Sequence, residues 1–176
     1  MVMETLKNCL KEKALVAINR EMIDSLSVYG FILGMSDSLV LLKNVYNLDF
    51  DGFRLIRTQD ITDAFSEDEE KFLQSILKSE GLCDFEAKSD FDLTGLKPFL
   101  RKLSDIGENV IIQCEGYEEN YFYEGKIEEV KKGEIILKTF NDTGFWEEER
   151  ANVPLSRITS VSFGGRYIKL VSKYLK

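Results

Sequence analysis

A stretch in the first half of the chain recurs without a gap in the second half, and no other feature narrows the fold as far. Tyr29 to Lys43 aligns with Glu124 to Lys138, which sets Gly30 on Gly125, Ile32 on Ile127, Met35 on Val130, Leu42 on Leu137 and Lys43 on Lys138. At the same offset of 95 the apolar run Leu15-Val16-Ala17 falls on Val110-Ile111-Ile112. Further on, Asp60-Ile61-Thr62-Asp63-Ala64 meets Arg157-Ile158-Thr159-Ser160-Val161 at an offset of 97. The flanks join in: Met3, Leu6 and Leu10, at helical spacing, match Leu96, Phe99 and Leu103 at an offset of 93. Phe72, Leu73, Ile76 and Leu77 match Leu170, Val171, Tyr174 and Leu175 at an offset of 98. Such slow drift is that of a duplicated unit with small loop insertions.

Each unit therefore reads as helix, five short strands, helix. In the first copy the strands are expected near 14–19, 27–35, 38–50, 53–59 and 60–65. Asp51-Gly52 is the expected hairpin turn of the first copy, because both residues tolerate positive φ, and Asn141-Asp142-Thr143-Gly144 that of the second. Ser66-Glu67-Asp68-Glu69 reads as a capping box opening the middle helix, with Gly81 at its end, and Gly107 ends the helix that begins near Pro98. The expected division is a first repeat over 1–81, a polar linker over 82–92 and a second repeat over 93–176. Five strands of this length suit a small, strongly bent barrel.

The repeated segment resembles the first motif of Sm-like proteins, in which a strand glycine, spaced apolar residues and a second alternating strand form a bent hairpin. Gly30, Ile32, Met35, Leu39 and Leu41 fill those places, as do Gly125, Ile127, Val130, Glu134 and Ile136, with Glu134 a departure. The resemblance implies a mainly β fold with flanking helices (α+β): two tandem five-stranded Sm-like or SH3-like small barrels, each with an N-terminal and a C-terminal helix. The nucleotide pocket of Sm-like RNA binders does not carry over. Its Asp and Asn places hold Ser36 and Val40, or Lys131 and Ile135, and no Arg-Gly pair occurs in the chain.

Composition removes several function classes. A formal net charge of −8 opposes phosphate binding. Histidine is absent, and with it the commonest general base and most zinc sites. Cys9, Cys83 and Cys114 are widely spaced and read as small buried hydrophobes of a reduced compartment. No apolar run approaches the length of a membrane span, and the first residues lack a signal-peptide pattern, so a cytoplasmic location is expected.

Asn47-x-Asp49-x-Asp51-Gly52 imitates a calcium loop, yet its twelfth position is Thr58 and its alternation is that of a hairpin. No metal or cofactor is expected. Glu118-Glu119, Glu128-Glu129 and Glu147-Glu148-Glu149 read as a solvated face. The second copy is crowded with aromatic residues, from which Phe145, Trp146, Tyr121 and Tyr123 are the candidate partner-binding residues, although ordinary barrel packing is the favoured reading of Phe145 and Trp146. Arg54 and Arg57 are the candidate anion or RNA contacts. The leading expectation is a non-enzymatic binding or assembly module that contacts a protein partner or a second copy as a homodimer. The alternative is an Sm-like regulatory RNA-binding protein.

Overall fold

In the computed structural model, which describes residues 2–83, 85, 90–116 and 121–176, the chain is mainly β with four helices. Helix α1 (Val2–Glu12) leads into β1 (Leu15–Arg20), β2 (Asp24–Met35), β3 (Leu39–Tyr46), β4 (Asp49–Arg57) and β5 (Asp63–Phe65), and α2 (Asp68–Ser79) follows. The series then recurs as α3 (Leu96–Ile106), β6 (Asn109–Cys114), β7 (Tyr121–Val130), β8 (Glu134–Phe140), β9 (Trp146–Pro154), β10 (Ser160–Phe163) and α4 (Arg166–Ser172). Even the irregularities recur: the register shifts between Ile32 and Gly34 and between Ile127 and Glu129, and again between Lys43 and Val45 and between Lys138 and Phe140. A bulge bends its strand, so matched bulges give the two halves matched curvature. Gly30 and Gly125 stand where that curvature brings backbones together, and a Cβ at either would run into the carbonyl oxygen of Lys43 or Lys138.

All ten strands belong to one antiparallel sheet in the order β5-β1-β2-β3-β4-β10-β6-β7-β8-β9. The expected two tandem five-stranded small barrels are thus not clearly two closed barrels, because their strands run together as one open sheet. The reason is the edge of β4, which pairs with β10 of the other half, Leu55 opposite Val161 and Phe53 opposite Phe163. The two phenylalanine rings stack with centroids 5.1 Å apart.

This junction exchanges inside for outside. Side chains alternate across a strand. In the first half the face bearing Val16, Ile18, Ile32, Val40, Leu42 and Ile56 packs with Leu6 and Cys9 of α1. In the second half the buried face carries Val110, Ile112, Val161 and Phe163, packed with Phe99, Leu100 and Leu103 of α3. Leu39, Leu41 and Leu55, from the opposite face of the first half, join that second core. The inner face of the first repeat thus runs on as the outer face of the second. On the far side, Leu77 of α2 covers Leu15, Phe31 and Val45.

Several local expectations shift. Val16 and Val110 each lie opposite the strand glycine, so the first strands align at an offset of 94 rather than 95. One residue matters here, because a single slip sends every side chain to the other face. The first-copy hairpin turns at Asn47-Leu48, with φ of 49° and 59°, and Asp51-Gly52 lies inside β4. Gly52 is left-handed (φ 69°) to suit the junction, where a Cβ would run into Phe163 and Gly165. The α2 cap begins one residue late: Glu67 N donates to Glu70 Oε2 at 2.8 Å, while Ser66 Oγ donates to the Leu15 carbonyl. Phe72 and Tyr174 face solvent, and α4 stops at Ser172. Of the expected linker, residues 84 and 86–89 lie outside the described residues. Phe85 packs edge-on against Phe31 and Phe50 of the first half, and Phe91 against Phe99 and Phe163 of the second. All three cysteines are free thiols.

Candidate functional site

The face exchange opens a cleft. Cross-strand pairing sets Arg54, Ser162, Ile111 and Glu124 in one row over β4, β10, β6 and β7, and sets Ile56, Ser160, Gln113 and Phe122 in the next. The first members of these rows belong to the inner face of the first repeat and the rest to the outer face of the second. Where the two faces meet they enclose about 340 Å³, lined by Asp24, Leu26, Val28, Asn44, Tyr46, Asp51, Arg54, Gln113, Phe122, Ser162 and Tyr167 among others. At its mouth stand Leu26 (72% exposed), Tyr46 (64%), Phe122 (57%) and Tyr167 (53%), two from each repeat. A shallower hollow of about 480 Å³ shares Tyr46, Asp51 and Tyr167 and extends the cleft toward Asp49, Arg166 and Leu170. Large apolar side chains clustered in the open, around a concave polar floor, are the usual signature of a contact surface.

The floor is a buried polar network. Arg54 donates from Nε to Ser162 Oγ at 3.3 Å and from Nη2 to Gln113 Oε1 at 2.9 Å. Desolvation, and then the charge of Arg20, lower its pKa from the ordinary arginine value. Behind it the fully buried Arg20 donates to both oxygens of Glu115, at 2.8 and 3.2 Å, and Thr159 Oγ1 lies 2.8 Å from Glu115 Oε2. On the wall, Asp51 Oδ1 accepts the Arg166 backbone N–H at 2.8 Å, so the first repeat caps the last helix of the second. The Tyr167 hydroxyl donates to Glu124 Oε2 at 3.0 Å. Burial raises the Glu124 carboxyl pKa, and that hydrogen bond opposes the rise.

The residues singled out from sequence are dispersed. Arg54 is the cleft floor. Arg57 clamps the junction elsewhere, donating from Nη2 to the carbonyls of Leu155 (2.7 Å) and Ser156 (2.9 Å). Tyr121 and Tyr123 stack on each other at 6.1 Å, and Tyr123 packs against the second core, on the side of β7 opposite Phe122. Trp146 is half-buried, edge-on to Phe140 at 5.7 Å with the Lys138 ammonium 4.7 Å from its ring centre. Phe145 is exposed beside the Lys176 ammonium at 5.3 Å. Tyr117 and Glu118-Glu119 lie outside the described residues. Leu26, Tyr46 and Tyr167 escaped sequence reasoning, and Phe122 stands among the second-copy aromatic residues but not among the candidates. Alternation separates Phe122 from its tyrosine neighbours, but only the face exchange reveals which set looks outward.

Asn47 and Leu48 make the β3–β4 turn, and Asp51 is spent on the α4 amide, so the calcium-like spacing serves backbone geometry. Among the described residues no group of three His, Cys, Asp or Glu side chains is placed to hold a metal ion, and no helix is long and apolar enough to cross a membrane. Comparison with protein-family models, with curated proteins and with solved structures finds no match to this chain.

Proposed function

We propose that this chain is a non-enzymatic binding module in which two Sm-like or SH3-like units fix each other through one shared strand pair and present the resulting cleft to a protein partner. The observation that carries this reading is the mouth of the cleft, where Leu26, Tyr46, Phe122 and Tyr167 converge from both repeats with more than half of their surface open. Such a mouth on a rigid floor fits the anchor-and-pocket pattern of interfaces. The floor side chains bond mainly to one another, which suits a scaffold that stays fixed while a partner is received. The recurring five-strand order with its preceding helix supports the two-unit reading.

A distinct partner is favoured over a second copy of the chain. Of the two outermost strands, β5 has three residues and β9 carries Glu147-Glu148-Glu149 and ends at Pro154. Short, charged or proline-bearing edges discourage strand addition. A photo-crosslinking residue introduced in turn at positions 26, 122 and 148 tests the reading in cell extract. The same adduct from positions 26 and 122, absent from 148 and weakened by Tyr46→Ala, supports it. Equal labelling at all three positions, or none at the cleft, overturns it.

A further inference from the structure

We infer that the cleft receives an extended, cationic polypeptide segment, whose lysine or arginine side chains enter between the aromatic mouth and the Asp24–Asp51 wall; this rests on the cleft being a partner-binding surface. Among the described residues the only basic side chain lining the main cleft is Arg54, and it is engaged by Ser162 and Gln113 and backed by the Arg20–Glu115 pair. Two carboxylates, Asp24 and Asp51, line the same space, and a third, Glu124, sits behind the Tyr167 hydroxyl. Asp24 and Asp51 are partly exposed, with the Arg20 guanidinium 3.9 Å from Asp24 Oδ2 and the Arg166 amide on Asp51 Oδ1, and Arg54 is half-buried, so the described lining sets two carboxylates against one guanidinium and carries a net negative charge.

The mouth itself has the matching chemistry. Tyr46, Phe122 and Tyr167 present open ring surface, and ring faces attract ammonium and guanidinium groups while accepting the aliphatic stems that carry them. The chain already uses this contact, since the Lys138 ammonium lies 4.7 Å from the Trp146 ring centre and that of Lys43 lies 4.9 Å from the Phe53 ring centre. A volume of about 340 Å³ admits side chains and not a folded domain, while its open continuation past Tyr46 and Asp49 accommodates further residues of an extended segment. The net charge of −8 draws cations toward the surface and repels anionic competitors.

The test is an amide NMR titration of the full chain with three acetylated decapeptides that alternate valine with lysine, glutamate or serine, and with a mixed-sequence oligoribonucleotide. The expected result is that the lysine peptide moves the amides of Asn44, Gln113, Phe122 and Tyr167. It should bind at least about tenfold more tightly than the other peptides, and weaken as salt is raised. Tyr46→Ala and Phe122→Ala, both at exposed positions that the fold does not need, should each cost about two- to thirtyfold in affinity. Asp24→Asn should also weaken binding. If the glutamate or serine peptide, or the RNA, moves the same amides as strongly, the cationic assignment falls while the cleft remains a binding surface. If the lysine peptide moves only amides near Glu147 to Glu149, the cationic assignment likewise falls. If no probe moves the cleft amides, both this inference and the binding reading fall.

Discussion

The guanidinium of Arg20, fully buried at the end of β1, donates to both carboxylate oxygens of Glu115, just past the end of β6, at 2.8 and 3.2 Å. One ion pair therefore ties the end of β1 in one repeat to the end of β6 in the other beneath the cleft. Removing a single partner strands the other charge out of water, and Arg20→Met or Glu115→Gln is expected to destabilise the fold by about 3–5 kcal/mol. The double replacement Arg20→Met with Glu115→Leu should cost much less than the sum. With Glu115→Leu as the second single variant, urea unfolding of wild type, Arg20→Met, Glu115→Leu and the double variant reads this cycle, and additive losses would show that the pair is not coupled.

Gly52 stands where the backbones of the two repeats approach closely. Its left-handed φ of 69° alone costs an L-residue about 1–2 kcal/mol, and a Cβ would also run into Phe163 and Gly165. Gly52→Ala should lower stability by more than that strain alone and speed amide exchange in β10. Gly133→Ala, where no atom lies within 4 Å of the added methyl, is the control and should be near neutral.

The β9 edge is the counterpart of the β4 edge that forms the junction, yet the positions matching Arg54 and Arg57 at an offset of 97 hold Ala151 and Pro154. With its arginine clamps missing and three glutamates in place, β9 should stay unpaired, and the chain is expected to be monomeric at micromolar concentration by light scattering. Replacing Glu147, Glu148 and Glu149 together with threonine should produce concentration-dependent association.

Glu124 should mark the pH dependence of stability. Its folded pKa is raised by burial, so between the unfolded and folded pKa values the native state holds more protons. Stability conferred by the protonated carboxyl is then present in acid and is lost as pH rises through that window. Asp60, also raised by burial, acts in the same direction. Glu124→Gln keeps an acceptor for Tyr167 and should lessen the loss as pH rises above the ordinary carboxylate range in chemical unfolding. An unchanged pH profile would remove Glu124 from this role.

Much of the fold is legible in the residues themselves. Gly30 and Gly125, the apolar positions around them and the helical stripes of Leu6 and Phe99 report a duplicated unit, because each serves contacts inside one repeat and is subject to the same steric demand twice. Gly107 was readable as a helix end for the same local reason, its φ being 74°. The sequence points to Arg54 as an anion or RNA contact, and the structure shows its guanidinium bonded to Ser162 and Gln113 in the cleft floor.

What the sequence determined by itself is the unit: helix, five bent strands, helix, twice over, with apolar spacing and turn residues that act over a few positions. Only the tertiary structure decided how the units join. The pairing of β4 with β10 is a contact between residues about 100 apart, and strand periodicity, which repeats every second residue, carries no mark of which neighbour an edge will choose. That one pairing turned the inner face of one repeat into the outer face of the other. It placed Leu26, Tyr46, Phe122 and Tyr167 around a common cleft, and it settled which aromatic side chains pack inside and which stay exposed.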